Sequence, residues 1–474
     1  MSAMSQARAA SEDRPQEIVE RGLQAAQALA GCRGCAVLVE HSGATNLRWA
    51  MNGLSTNGVT SGQTVTVVVG AEVTGGIAAG VLTRPEVGLA EVPELVADAY
   101  AAARAAAPAE DAAPFVAGEA AADWEAGPGR TGPEVLAEVG RGLGEVFKAC
   151  TAEDREWFGY AAHAVRTLWL GTSAGTRLRH EQPTGSIEVN GKSHQRSRST
   201  WIGQATRDFS DVDVLALDAE VRTRLGWQHR KVDLPAGRYD TVLPPTAVAD
   251  LMVYVYWSSD ARSAHEGRTV FSRPGGGTRV GERLTPRAVT LRSDPAHPGL
   301  ECADRVFTAA SSPFASVFDN GLVSPATTWV DAGVLAALPT TRHSAALTGL
   351  PLHPAVGNLV LDAGGTGSVD DLVAGLDRGL LVTCLFYIRE VDPMTLLLTG
   401  LTRDGVYLVE GGEVAGAVTN FRFNDSPVDL LARVRAAGAA QPALSREWGE
   451  YFGLTAMPAL AVEGFNMSSV SEAS

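Results

Sequence analysis

Residues 379–418 read GLLVTCLFYIREVDPMTLLLTGLTRDGVYLVEGGEVAGAV, and their pattern decides the class of fold. Three apolar stretches, 379–389, 395–401 and 406–418, are separated by short segments carrying Pro, Asp and Gly. Val, Ile, Thr, Phe and Tyr fit a pleated surface, and stretches this short read as strands. The third holds Gly411 and Gly412 at its middle, so 406–418 is predicted to be a hairpin turning at those glycines. A helix over 246–257, apolar at Val248, Leu251, Met252 and Val255, precedes this region, and further strands are expected at 287–293 and 358–364. Residues 235–467 are therefore predicted to form a β-rich C-terminal domain.

Upstream, helical and strand patterns alternate. Residues 1–12 read as a disordered tail, and 13–105 as a first α/β module. In that module Ser11 is expected to cap a helix carrying Glu12 and Asp13 in its first turn and Val19, Leu23, Ala26 and Ala30 along one face. Strands follow at 35–41, 45–51 and 64–69, with AsnGly at 52–53 and 57–58 and SerGly at 61–62 as turn signals, then a helix over 93–105. Residues 106–133 are rich in Ala, Pro, Gly and acids around two large anchors, Phe115 and Trp124, and read as a linker. A central α/β module over 134–230 is expected to hold a helix from 133 to about 148, five short strands within 156–206 and a helix over 214–225. The fold class is thus α+β, two N-terminal α/β modules followed by a β-rich domain. No repeat of 20–50 residues suggests a solenoid or propeller.

Composition narrows the function. The chain has 474 residues, 39 Lys+Arg against 54 Asp+Glu and a net charge of −15. Without a basic block there is no footprint for a phosphate backbone, so nucleic acid is not an expected partner. Nor is a membrane: the longest apolar run, 251–257, is far short of the ~20 residues a span needs. The start lacks the apolar core of a secretory signal, and five scattered cysteines (Cys32, Cys35, Cys150, Cys302, Cys384) read as reduced thiols, so a cytoplasmic protein is expected.

Candidate chemistry is sparse. His265–Glu266 resembles the start of a zinc helix, but the positions one turn on are Thr269 and Val270, so the second ligand is missing. Cys32 and Cys35 form a CxxC that follows a helix and opens a strand, the reverse of the redox arrangement in which a helix N-terminus activates a thiol. Cys384 lies in an apolar strand, and a nucleophilic pair with His343 or His353 stays open. The loop RPGGGTRVG (273–281) lacks the GKS or GKT ending of a phosphate loop, and no G-x-S-x-G elbow is present. Spacing alone therefore assigns no catalytic residue.

Several blocks in order carry a family resemblance. PPTAVADLMVYVYWSSDARSAHEGRTVFSRPGGGTRVGERL (244–284), FDNGL (318–322) and the run from 379 to 431 resemble the C-terminal region of the TldD/PmbA (TldD/TldE) family. NLRWAMNGLSTNGVTSGQTVTVVV (46–69) and GTSAGTRLRHEQPTGSIEVNGK (171–192) resemble its first and central modules. The resemblance implies a C-terminal domain of the TldD/PmbA type and zinc-dependent proteolysis of unfolded or small peptides by a heterodimer. In that pair the TldD subunit holds zinc with a His-Glu-x-x-x-His helix and a cysteine near its C-terminus, while the TldE (PmbA) subunit lacks these ligands.

In this sequence the 246–257 helix stands in the place of the zinc helix, yet no His-Glu-x-x-x-His occurs, and REWGEYFGLTAMPALAVEGFNMSS (446–469) has no cysteine. The resemblance therefore implies a TldE-like chain that binds no metal or other cofactor itself, with zinc in a TldD-like partner. Its β-rich domain would grip an extended peptide by strand addition. The expected lining is Leu385, Tyr387, Arg389, Leu396 and Leu398. The alternative is a stand-alone peptide-binding or scaffold protein without catalysis, possibly a homodimer.

Overall fold

The computed structural model describes residues 13–471. The expected tail, and the capping role given to Ser11, lie outside these residues. The first helix, α1 (Pro15–Gln27), opens on a proline, whose missing N–H costs nothing in the first turn. The chain continues through β1 (Cys32–Ala50), β2 (Gly53–Val73), β3 (Gly76–Pro85) and α2 (Val92–Ala105). After a segment ending in a short 3-10 turn at Pro133–Leu136 come α3 (Ala137–Ala152), β4 (Arg155–Thr172), β5 (Arg177–Ser193), β6 (Arg198–Thr206) and α4 (Val214–Trp227).

These six strands form one antiparallel sheet in the order β3-β2-β1-β4-β5-β6. The two expected N-terminal modules are therefore halves of a single sheet, joined by pairing of β1 with β4 from Ala36↔Thr172 to Trp49↔Gly159. The expected strands 35–41 and 45–51 are one strand of 19 residues. Ser42 and Gly43 do not interrupt it because the strand is paired on both sides, Gly43 facing Ser61 on β2 and Val165 on β4. For the same reason the AsnGly at 57–58 and SerGly at 61–62 are not turns; they lie within β2, opposite Asn46–Leu47 and Ser42–Gly43. The turn falls at Met51 and Asn52, whose φ values of 50° and 61° are those of a tight hairpin. The five short strands expected in 156–206 are likewise three longer ones.

All four helices cover one face of this sheet. Ile18, Val19 and Leu23 of α1 and Leu95 of α2 pack with Val37, Val65, Val67 and Trp169. Leu143 of α3 and Val221 of α4 pack with Trp49, Trp157, Ile187 and Val189. The segment expected as a linker is fastened to the sheet: Phe115 and Trp124 are buried, and the Thr172 and Thr176 hydroxyls donate to the Val116 carbonyl at 3.1 and 2.6 Å.

Two further sheets make up the rest of the described chain. The larger, of ten strands, runs in the order Leu385–Asp392, Leu397–Thr402, Phe421–Asp425, Leu460–Val470, Gly237–Leu243, Arg378–Val382, Val406–Glu410, Glu413–Val418 and Lys231–Val232, with Val434–Ala437 added beside Leu460–Val470. The smaller runs Val334–Leu335, Thr327–Asp331, Thr290–Ser293, Leu359–Asp362, Thr455–Met457 and Gln441–Ala443. Helix α5 (Pro245–Trp257) shares one core with both: Leu251, Met252 and Val255 pack with Leu291 and Leu359 of the smaller sheet and Leu380, Leu385 and Phe465 of the larger. The architecture is thus mixed and β-rich, as the strand patterns imply. The hairpin turns at Gly411 and Gly412, with φ of 61° and 80°. The expected strand 379–389 is not continuous, because it breaks at Thr383–Cys384 and its two parts pair with different neighbours. No helix among the described residues is long and apolar enough to cross a membrane.

Asp250 of α5 is fully buried in this domain. Its Oδ1 accepts from the Ser445 hydroxyl at 2.6 Å and from the Glu447 N–H at 2.9 Å, while Oδ2 has no partner among the described residues. Burial outweighs those two donors and pushes the carboxyl up to about 7. Between an unfolded value near 3.8 and about 7, the folded chain keeps a proton that the unfolded chain has released. Asp250 therefore makes stability fall as pH rises through that window, by roughly 1 kcal/mol per pH unit, and level off above it. Urea unfolding at pH 5 and pH 7.5 should show this loss in the native chain and a shallower slope in Asp250→Asn; equal slopes would refute the assignment.

A second expectation concerns Gly80 on β3, where an added Cβ would lie 1.9 Å from the Ala99 carbonyl oxygen and 2.6 Å from the Ala103 nitrogen of α2. Helix backbone cannot yield as a side chain would, so Gly80→Ala should cost about 1–3 kcal/mol in denaturant unfolding. Unchanged stability would contradict this close approach.

Candidate functional site

Residues 445–448 join several elements that are distant in sequence. With Ser445 and the Glu447 N–H held on Asp250, the side chains of three successive residues reach three different neighbours. Arg446 lies over the Trp201 ring of β6 at 4.9 Å and the Phe386 ring at 5.2 Å, donates to the Cys384 sulfur at 2.8 Å and pairs with Asp404 at 3.2 Å. It thereby joins the first sheet to the C-terminal domain. Glu447 accepts from the Ile388 N–H at 3.2 Å. Trp448 stacks edge-on against Tyr254 and Trp257 of α5, each 5.1 Å away between ring centres.

Tyr254 closes the arrangement by donating its hydroxyl to the Ile388 carbonyl at 3.0 Å, and burial pushes that hydroxyl up to about 12, so it stays a donor across the physiological range. Ile388 lies on an edge strand of the ten-stranded sheet, at a register shift between Phe386 and Arg389. Its N–H and C=O are both taken by side chains, which blocks strand addition at this point of the edge. Beside it Tyr387, at φ 52°, stands 53% exposed with the Arg389 guanidinium 4.2 Å from its ring centre.

The expected peptide lining divides accordingly. Leu385, Leu396 and Leu398 are each 0% exposed and belong to the main core, so the structure corrects their assignment as a lining. Strand alternation explains the error: a half-buried strand presents every second residue to the core, and the bulge at 387–388 reverses the faces midway. Tyr387 and Arg389 remain accessible.

Helix α5, which the resemblance sets in the place of the zinc helix, and the segment around Trp448 meet through three aromatic rings. Among the described residues no group of three His, Cys, Asp or Glu side chains is placed to hold a metal ion. His265 ends a separate short helix, α6 (Ala261–His265), and Glu266 beside it is paired with Arg262 and Arg268, which hold its carboxyl below the usual range.

The thiols are no better placed for catalysis. Cys384 is fully buried, its sulfur contacts Arg446 and the Arg403 carbonyl, and burial pushes it up to about 11; neither His343 nor His353 bonds to it. Cys35 is buried at the start of β1 and pushed up by burial, first of all, and by Cys32. The glycine loop 273–281 opens no helix; with His265, Glu266 and Met394 it borders a surface cavity of about 730 Å³. Sequence reasoning missed the aromatic cluster. Its signal was present, since Tyr254, Trp257 and Trp448 are large aromatic residues in the two segments quoted above for the resemblance.

Comparison with known proteins bears on the fold and the family. Residues 236–469 match the PmbA/TldA metallopeptidase C-terminal domain family. No curated protein matches the chain in sequence. Among solved structures, TldE from Thermococcus kodakarensis is similar with a TM-score of 0.75 at 16% identity, covering 95% of this chain and 99% of that one. A proposed modulator of a DNA gyrase from Thermotoga maritima gives 0.74 at 17% identity, covering 95% and 99%. A proposed modulator of DNA gyrase from Bacteroides thetaiotaomicron gives 0.72 at 15%, covering 96% and 99%. At these identities the structures speak for the fold, which is shared along nearly the whole chain. Together with the family match over its C-terminal half, they place this protein in the TldD/PmbA family.

Proposed function

We propose that this chain is a TldE-like, non-metal-binding subunit of a cytoplasmic two-chain zinc peptidase that acts on unfolded or small peptides. The observation that carries the reading is the contact of Trp448 with Tyr254 and Trp257. Indole rings are not zinc ligands, and a tetrahedral site needs N, S or O donors of a kind these rings do not offer. The similarity to a structure named TldE supports the same reading. A TldD-like partner would supply the zinc, which brings the pKa of its bound water to about 7, and this chain would supply surface that holds the peptide. Tyr387 and Arg389 are the accessible residues for that role. A large apolar ring with a cation stacked on it can take both an apolar side chain and a peptide carbonyl.

The test is metal analysis of the full chain, purified alone and again after co-expression with a TldD-like chain from the same genome. Zinc and peptide cleavage should appear in the second sample and be absent from the first. Stoichiometric zinc in the chain alone would overturn the reading, and a zinc-free homodimer that ignores the TldD-like chain would favour the scaffold alternative. In the active pair, Tyr387→Ala should raise KM for an unfolded peptide by roughly 10-fold with kcat little changed. An unchanged KM would remove Tyr387 from the grip.

A further inference from the structure

A second cavity, apart from the aromatic cluster, opens where the first sheet meets the C-terminal domain. On the sheet face turned away from the four helices, paired residues line up in rows: Arg48 beside Tyr160 beside Glu188, and Phe158 beside Asn190 beside Trp201. Lys192 borders the same space. Arg403, Asp404 and Arg446 close the opposite wall, leaving a cleft of about 620 Å³, a volume suited to a ligand of one or two residues.

Its charges are unevenly engaged. Glu188 accepts from the Trp201 ring N–H at 3.0 Å, and Asp404 accepts from the Ser199 hydroxyl at 2.7 Å and from Arg446 at 3.2 Å. The cations are freer. Lys192 has the Phe158 ring as its neighbour at 5.7 Å, and among the described residues the Arg48 side chain has no ion-pair or hydrogen-bond partner. Arg403 stacks on Phe386 and stands 3.6 Å from Asp404. In a chain of net charge −15, surplus positive charge gathered in one cavity with exposed aromatic walls selects an anion with an apolar part.

We propose that this cleft binds the C-terminal end of a peptide whose last side chain is aromatic or large and apolar. The terminal carboxylate sits between Arg48 and Lys192, the last side chain lies against Phe158 and Tyr160, and the peptide N–H groups face Glu188 and Asn190. A phosphate is a poorer fit, because a dianion would lie beside the Glu188 and Asp404 carboxyl groups with at most one O–H to offer them, whereas a peptide end brings a single negative charge and several N–H groups together. This deepens the peptide-handling reading above and rests on it, but its test does not involve zinc.

The probes are N-acetyl-diglycyl-phenylalanine, its C-terminal amide and inorganic phosphate, each titrated into the full-length chain by calorimetry. The free acid should bind at least 10-fold more tightly than the amide, and phosphate should not displace it. The double variant Arg48→Gln/Lys192→Gln should lose the preference for the acid while keeping its thermal midpoint, since neither side chain holds an ion pair in the folded chain. Equal binding of acid and amide, no binding of either, displacement by phosphate, or an undiminished preference in the double variant would each overturn the proposal. None of those results would alter where zinc resides in the two-chain pair.

Discussion

The hydrogen bonds from Ser445 and Glu447 to the buried carboxyl of Asp250 are the constraint on which the functional half of this structure depends. A carboxyl inside a helix that is buried on nearly every side is expensive unless it is given donors, and the donors come from a segment almost 200 residues away. Once Ser445 and Glu447 are held there, the intervening and following side chains have little choice of direction. Arg446 is sent between the Trp201 and Phe386 rings, and Trp448 onto Tyr254 and Trp257. The same anchor therefore sets both the junction between the first sheet and the C-terminal domain and the aromatic packing on α5.

The first sheet contributes a different property, length. Strands of 17–21 residues carry the face turned away from the helices from an apolar packing region to the domain junction, so that Arg48 and Leu38 lie on the same face of one strand in unlike surroundings. At the Leu38 end that face is apolar and packs against Phe115, Val317 and Phe318. At the Arg48 end it is charged and aromatic and borders an open cleft. Strand alternation alone permits this division, because each face can change character along its length without altering the other.

Much of the fold was legible in the sequence where a local signal and the tertiary demand agree. The Gly411–Gly412 hairpin, the α5 pattern at Val248, Leu251, Met252 and Val255, and the helix expected from 133 to about 148, found as a 3-10 turn running into α3, are of this kind. The misreadings have one cause. Ser42, Gly43, Asn57 and Gly58 are turn formers by propensity, and pairing with neighbouring strands keeps them extended. The site was less legible because Asp250, Arg446 and Trp448 acquire meaning only when distant segments meet. Leu385, Leu396 and Leu398 look like an apolar lining in sequence but belong to the core, and the bulge at 387–388, which no single residue announces, turns Tyr387 and Arg389 away from the face of Leu385.

The chain thus shares the scaffold of the TldD/PmbA family, and α5 and residues 445–448 are packed together in it by aromatic rings. Its remaining chemistry is suited to holding a peptide, through an exposed ring and cation at Tyr387 and Arg389. The most direct measurement is anomalous diffraction at the zinc edge from crystals of this chain with a TldD-like partner. The account predicts a peak surrounded by the partner's side chains alone, with no atom of α5 or of residues 445–448 at the ~2.0–2.3 Å of a zinc bond. A peak bonded to this chain at that junction would contradict it.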